Sequence, residues 1–261
     1  ESLAPYFYLN KRNKKNIYVF STEREALEFY NNFSNFVPES SHFPAWDTLS
    51  YDSFTPSLEI QGKRLQTLHN ILVNDSFDVA MSMKSFTQKI FINDLDVIDF
   101  EVSQEVDFEN LIENLSYLGY VNKDRVESRG TFSIRGGQID IYPLNSEYPA
   151  RIIFNGDEVA ELKLFDYISQ RSIKNIKKVL ITPSSELFQT NQEDIYKSLK
   201  IESKKDLDEY ELFQFSQNLE YFKTLLDFVP DELSINIIDF NVCKEIFSEI
   251  QKIEKDSFNN L

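Results

Sequence analysis

Thr131-Phe132-Ser133-Ile134-Arg135-Gly136-Gly137-Gln138-Ile139-Asp140-Ile141-Tyr142 is the stretch on which the reading of the fold turns. Apolar and polar side chains alternate on both sides of a Gly-Gly pair, which predicts two antiparallel strands joined by a two-residue hairpin. The scheme repeats at once, with Ala150–Phe154 and Glu158–Phe165 flanking Asn155-Gly156-Asp157. Two successive hairpins predict a four-stranded meander. Helical spacing over Phe108–Leu118 adds a helix, and together they make a small α+β domain. Alternation places Ser133 and Arg135 on one face of the sheet, with Phe132 and Ile134 on the other.

Upstream the pattern changes period. A helix is expected around Ser2–Leu9, then a basic turn through Lys11, Arg12, Lys14 and Lys15, then a short buried strand at Ile17–Phe20. Thr22-Glu23-Arg24-Glu25 is a capping box: the threonine hydroxyl accepts from the Glu25 amide, and the Glu25 carboxylate reaches back to the cap. It predicts a helix over Glu23–Phe33 whose apolar side holds Ala26, Leu27, Phe29, Tyr30 and Phe33. His42–Asp47 reads as irregular. A helix over Ser57–Leu72 buries Leu58, Leu65, Leu68, Ile71 and Leu72, and Phe77–Met81 is a second buried strand. Strand and helix in this rhythm predict a parallel sheet. The character shifts near residue 101. From about Ser184 helices return, with charged stretches such as Glu202–Asp208, a buried strand at Ile235–Ile238 and a final helix over Val242–Ile253.

The 261 residues carry a net charge of -16, with 41% hydrophobic and 14% aromatic residues. That is ample material for a core. A surface so acidic repels a phosphate backbone, so the chain as a whole is not expected to bind nucleic acid. One cysteine excludes an internal disulfide, and with two histidines it argues against a zinc site. No metal or cofactor is expected, and a reducing cytoplasm is the natural setting. No apolar run approaches the ~20 residues that cross a bilayer. The sequence opens at Glu1 without a signal-peptide pattern and reads as a piece of a longer protein.

Catalytic patterns fail one by one. Gly62-Lys63 lacks the upstream glycine and following hydroxyl of a phosphate cradle and lies within a predicted helix. Ile235-Asn236-Ile237-Ile238-Asp239 has the outline of a magnesium-holding strand end, yet without a cradle it reads as a core strand ending at a solvated aspartate. Neither His42 nor His69 has a nucleophile motif beside it; His69 is expected at the surface or half-buried. Arg125, Arg129 and Arg135 do cluster against the prevailing charge. From spacing alone Arg135 reads as an ordinary surface arginine paired with a nearby acid. On a rigid sheet it also suits bidentate pairing with a partner's carboxylate.

Several ordered motifs resemble one family. Phe43-Pro44-Ala45-Trp46-Asp47-Thr48-Leu49-Ser50-Tyr51-Asp52-Ser53-Phe54-Thr55-Pro56, then Arg64-Leu65 with Thr67-Leu68, are similar to the corresponding segments of bacterial transcription-repair coupling factors (Mfd). Phe132–Pro143, Tyr148–Ile152, Gly156–Val159, Phe165-Asp166 and Gln170-Arg171-Ser172 continue the likeness, part of it shared with UvrB. Pro56 runs straight into a helix where UvrB has a long hairpin, which favours the coupling-factor side.

The resemblance implies a degenerate, helicase-like (P-loop-type) α/β parallel-sheet domain in two separated parts, 1–101 and 185–261, with an α+β domain inserted at 102–184. It implies that the inserted domain docks UvrA in nucleotide excision repair, with Arg135 and Arg129 as partner-binding residues. Asn122 and Ser133 stand where relatives have arginine, and Lys123 or Arg125 are the residues that would compensate. ATP and magnesium, RNA polymerase and DNA belong to other domains of that family, in which an intramolecular contact with the C-terminal region can cover the docking surface. Three readings stay open: a non-catalytic UvrA-docking platform, a UvrB-type ATP-dependent helicase fragment, and an internal regulatory clamp.

Overall fold

The computed structural model describes residues 13–48, 55–90, 95–186, 224–229 and 232–259. The expected helix at 2–9, Lys11 and Arg12 of the basic turn, the motif stretch 49–54 and the charged run 202–208 lie outside them. The chain divides into two compact units, one formed by Glu1–Ile92 with Gln192–Leu261, the other by Asn93–Asn191.

In the first unit, strand β1 (Lys15–Phe20) carries Ile17, Tyr18, Val19 and Phe20, all buried. Helix α1 (Glu23–Phe33) starts at the predicted capping box, with the Glu25 amide 3.3 Å from the Thr22 hydroxyl and the Thr22 amide 3.2 Å from the Glu25 carboxylate. Its buried side is Ala26, Phe29 and Phe33. Leu27, expected there, is 43% exposed, because it lies about 100° round the helix from Ala26. Tyr18, Phe29 and Phe33 form an aromatic cluster with centroids 5.0 to 5.5 Å apart.

The segment expected to be irregular begins with a strand, β2 (Ser41–Phe43), and is irregular only after Pro44. Three residues are too few to display a period, and pairing to a neighbour defines this strand. Helix α2 (Leu58–Val73) buries Leu65, Leu68 and Ile71, whereas Leu58 and Leu72 fall off that stripe and are exposed. Strand β3 (Phe77–Ser82) is wholly buried, and Ser82 caps the short helix α3 (Met83–Thr87). The two quoted motifs before residue 70 meet here. Arg64, fully buried, lies over the rings of Phe43 (4.2 Å) and Trp46 (4.7 Å) and donates to the Pro44 carbonyl at 3.0 Å.

The second unit opens with strand β4 (Ile98–Glu101) and helix α4 (Phe108–Tyr117), capped by Asp107, whose carboxylate accepts from the amides of Glu109 and Asn110 at 3.1 Å each. The strands β5 (Val121–Asn122), β6 (Thr131–Arg135), β7 (Gln138–Ile141), β8 (Ala150–Asn155), β9 (Glu158–Phe165) and β10 (Ser172–Ile176) follow. They form one sheet in the order β10-β9-β8-β7-β6-β5. Both predicted hairpins are present, but the meander is larger than the expected four strands. β10 extends it antiparallel to β9, and β5 adds a parallel pairing to β6. An exposed edge such as β10 has no buried face to impose alternation on its sequence. Strand β11 (Lys178–Ile181) pairs antiparallel with β4. Phe132, Ile139, Ile152 and Leu162 on one sheet face form a core with Leu111, Leu115 and Leu118 from the α4 segment.

Helix α5 (Leu225–Phe228), strand β12 (Ser234–Ile237) and helix α6 (Phe240–Asn259) belong to the first unit. Its sheet runs β12-β1-β3-β2, all parallel. The expectation of a buried strand at 235–238 needs correction: Ile235 and Ile237 are 40% and 36% exposed, because β12 is an edge of the described sheet. Asp239 is exposed, as expected. Among the described residues no helix is long and apolar enough to cross a membrane.

Candidate functional site: the polar face of the six-stranded sheet

The pairing register builds the face. Arg135 stands opposite Gln138, and Gln138 opposite Ile153; Ser133 stands opposite Asp140, and Asp140 opposite Arg151. The two-residue turn that sets this register depends on its glycines. Gly136 holds a φ of 59°, and a Cβ on Gly137 would sit 3.2 Å from the Phe154 carbonyl oxygen.

At the centre lies an ion pair that composition did not flag. Arg151 donates from Nε and Nη2 to the two carboxylate oxygens of Asp140, both at 2.8 Å. The side chains are only 17% and 4% exposed. The guanidinium also lies 4.6 Å over the Phe165 ring, and the Asp140 hydrogen bonds, opposed by burial, hold it above the usual arginine range. Gln138 donates to the same carboxylate at 3.0 Å. A bidentate, largely sheltered pair of this kind ties β7 to β8, and the Phe165 ring brings β9 against it.

Around it sit the residues singled out from sequence. Arg135 is exposed, and its Nη2 donates to the Asp124 backbone carbonyl at 2.6 Å. No carboxylate among the described residues forms an ion pair with it. Since a guanidinium has five N–H donors, most of its capacity faces outward. Ser133 is 3% exposed, and its hydroxyl donates to the same carbonyl at 3.1 Å. It ties the segment 123–130, between β5 and β6, back to β6 and is not presented to an outside group.

Arg125 is exposed, with Nη2 2.6 Å from the Ile168 carbonyl and Nε 3.3 Å from Glu127. Asn122, which ends β5, and Lys123 after it are exposed. Arg129 is set apart: half-buried, it donates to the Ser146 carbonyl at 3.1 Å and lies 5.2 Å over the Tyr142 ring, with its Nε lacking a hydrogen-bond partner. Burial pushes the Tyr142 hydroxyl up, opposed by the charge of Arg129. Arg135, Arg125 and Lys123 are thus all exposed, with Arg135 bound to the carbonyl of Asp124, which lies between the other two in the chain, while Arg129 and Ser133 are turned to internal work.

Register explains why the Asp140–Arg151 pair was not legible. Eight residues, 142–149, separate β7 from β8, so counting along the sequence cannot align them. The anchoring carbonyl of Asp124 belongs to the backbone and leaves no side-chain signal at all.

The other location to weigh is the start of α1, at the end of a parallel strand where α/β sheets commonly bind ligands. Glu23 occupies it, with Oε1 3.0 Å from His42 Nε2 and Oε2 accepting from the Ala45 amide at 3.2 Å. Burial works to raise its carboxyl, but hydrogen bonds from His42 and Ser82 outweigh this and hold it below the usual range. Glu25 is likewise held low, chiefly by the Ser21 hydroxyl at 2.5 Å. Gly62 is buried within α2, and Lys63 pairs with Glu59 at 2.8 Å. His69 is half-buried, in keeping with its sequence reading. Among the described residues, no three His, Cys, Asp or Glu side chains could hold a metal ion.

Residues 98–187 match the family described as "UvrB interaction domain". The chain is 28% identical over 168 residues to the transcription-repair-coupling factor of Escherichia coli (strain K12), covering 62% of this chain and 14% of that protein. It is 24% identical over 288 residues to the transcription-repair-coupling factor of Bacillus subtilis (strain 168), covering 97% and 24%. It is 25% identical over 232 residues to the UvrABC system protein B of Thermosipho africanus, covering 82% and 34%. The resemblance drawn from the motifs is thereby shown, and the chain spans well under half the length of each of these relatives.

Proposed function

We propose that this chain is a non-catalytic docking module of a transcription-repair coupling factor, recruiting UvrA for nucleotide excision repair through the polar face of its six-stranded sheet. One observation carries the reading. Arg135 is exposed at the end of a braced strand, its guanidinium steadied by a backbone carbonyl and lacking an ion-pair partner among the described residues. Arg125 and Lys123, both exposed, flank the Asp124 whose carbonyl Arg135 binds, so cations outnumber acids over 123–135. In a chain of net charge -16, such a local excess suits an acidic groove on a partner. The match of 98–187 to an interaction domain supports this assignment.

Within the longer protein, the DNA, RNA polymerase and ATP-dependent steps fall to other domains. The module works in the cytoplasm, where its docking face can be covered by an intramolecular contact with the C-terminal region. The test is binding of purified UvrA to the chain and to Arg135→Ala. Loss of a central arginine costs about 2–5 kcal/mol where its partner carboxylate is left buried, a weakening of roughly 30-fold or more. Equal binding by both proteins removes the site assignment, and no binding by either removes the function.

The likeness to a UvrABC system protein B supports a second reading, an ATP-hydrolysing helicase fragment. Phosphate release from ATP by the chain alone decides between them. The docking account expects none above background. At the start of α1, carboxylates of Glu23 and Glu25 stand where a phosphate would need bare amides, which favours docking.

A further inference from the structure

The loop between β9 and β10, residues 166–171, carries Ile168, at 69% exposure the most exposed large hydrophobic side chain among the described residues. A lone exposed isoleucine is ordinary on a protein surface. What sets this one apart is the framework beneath it. The Gln170 amide donates to the Asp166 carbonyl at 2.7 Å, and the Asp166 amide donates to the Arg171 carbonyl at 2.9 Å. The Ser169 amide donates to the Asp166 carboxylate at 2.7 Å. The Gln170 side chain donates to the carbonyls of Tyr167 (2.7 Å) and Val126 (3.1 Å). Arg125 holds the carbonyl of Ile168 itself at 2.6 Å. Tyr167, 36% exposed, lies 5.8 Å from the Tyr142 ring.

An apolar tip on so constrained a loop loses little freedom when a partner covers it. Two exposed arginines, Arg125 and Arg171, adjoin the loop, Arg125 through the Ile168 carbonyl and Arg171 through the Asp166 amide. An aromatic and an apolar side chain held rigidly beside arginine match the residue types enriched at energetic centres of protein interfaces.

We infer that Ile168 and Tyr167 form the apolar anchor of the docking surface, seated in an acid-rimmed apolar pocket on the same partner protein that Arg135 engages. The inference rests on the docking reading above. The span is suitable: Arg135 and Thr131 are four residues apart, roughly 13 Å along β6. At the Thr131 end, the Tyr142 amide bonds to the Thr131 carbonyl, and Tyr142 meets Tyr167. Both features fit within a standard interface of about 800 Å² per partner. Arg135 then steers and orients, while Ile168 sets how long the complex lasts.

The experiment measures dissociation constants and dissociation rates of purified UvrA with the intact chain, Ile168→Asp, Ile168→Ser, Ile168→Val and Arg135→Ala, with circular dichroism confirming each fold. The expected result is about tenfold or more weakening for Ile168→Asp and Ile168→Ser, mainly through faster dissociation, with Ile168→Val close to wild type. If Arg135→Ala loses binding while Ile168→Asp and Ile168→Ser bind like wild type, the anchor is overturned and the docking reading survives. If the intact chain does not bind UvrA, both are overturned together.

Discussion

The start of α1 and the polar face of the six-stranded sheet both gather charged side chains, and they direct them in opposite ways. At the start of α1, Glu23 and Glu25 fold back on His42, Ala45, Ser21 and Thr22, so the helix end satisfies itself. On the sheet, Arg151 is consumed by Asp140, yet this internal pair leaves Arg135 braced and facing outward. A charged residue is informative only once its partner is known. Carboxylates at a helix N-terminus that already have donors offer nothing to an anion. A guanidinium tied only to a carbonyl still offers its charge.

The largest effect is expected at the Asp140–Arg151 pair. Asp140→Ala leaves a mostly buried guanidinium without its carboxylate, and removing one partner of such a pair costs about 3–5 kcal/mol. Denaturant unfolding should show that loss, and a change below about 1 kcal/mol would mean that the pair does not brace the sheet. The next test sharpens the outward half of the contrast. Arg135→Glu should abolish measurable UvrA binding while shifting unfolding by no more than about 0.5 kcal/mol, as for a surface substitution.

Smaller effects probe the inward half. Thr22→Ala removes the cap hydroxyl of α1 and should cost about 1 kcal/mol. The Glu23 carboxyl is held below its ordinary value of 4.5, so its contribution is complete above that pH and fades as pH falls through the folded value. The melting temperature of Glu23→Gln should therefore trail wild type at neutral pH, with the gap closing under acid conditions. A gap that persists or widens in acid contradicts the assigned role.

Much of this was legible in the sequence wherever the signal is local. The Thr22–Glu25 capping box, the Gly136-Gly137 turn and the alternation through β6 and β7 each lie within a few residues, and the structure has all three. What escaped depends on partners distant in sequence. β2 is defined by pairing with β3, and β10 is an edge whose exposed residues carry no alternation. Leu27, Leu58 and Leu72 are apolar yet fall outside the buried helical stripes. At the site, the residue types around Arg135 were legible, but their division was not. Ser133 is drawn inward by the Asp124 carbonyl and Arg129 by Ser146 and Tyr142, through contacts that strand alternation does not encode.

The central claim is that one outward guanidinium on a braced sheet captures a carboxylate of UvrA. Calorimetric titration of purified UvrA with the chain and with folded Arg135→Glu tests it most directly. A saturable interaction with the chain that disappears in the variant is the predicted result; an undiminished interaction in the variant contradicts it.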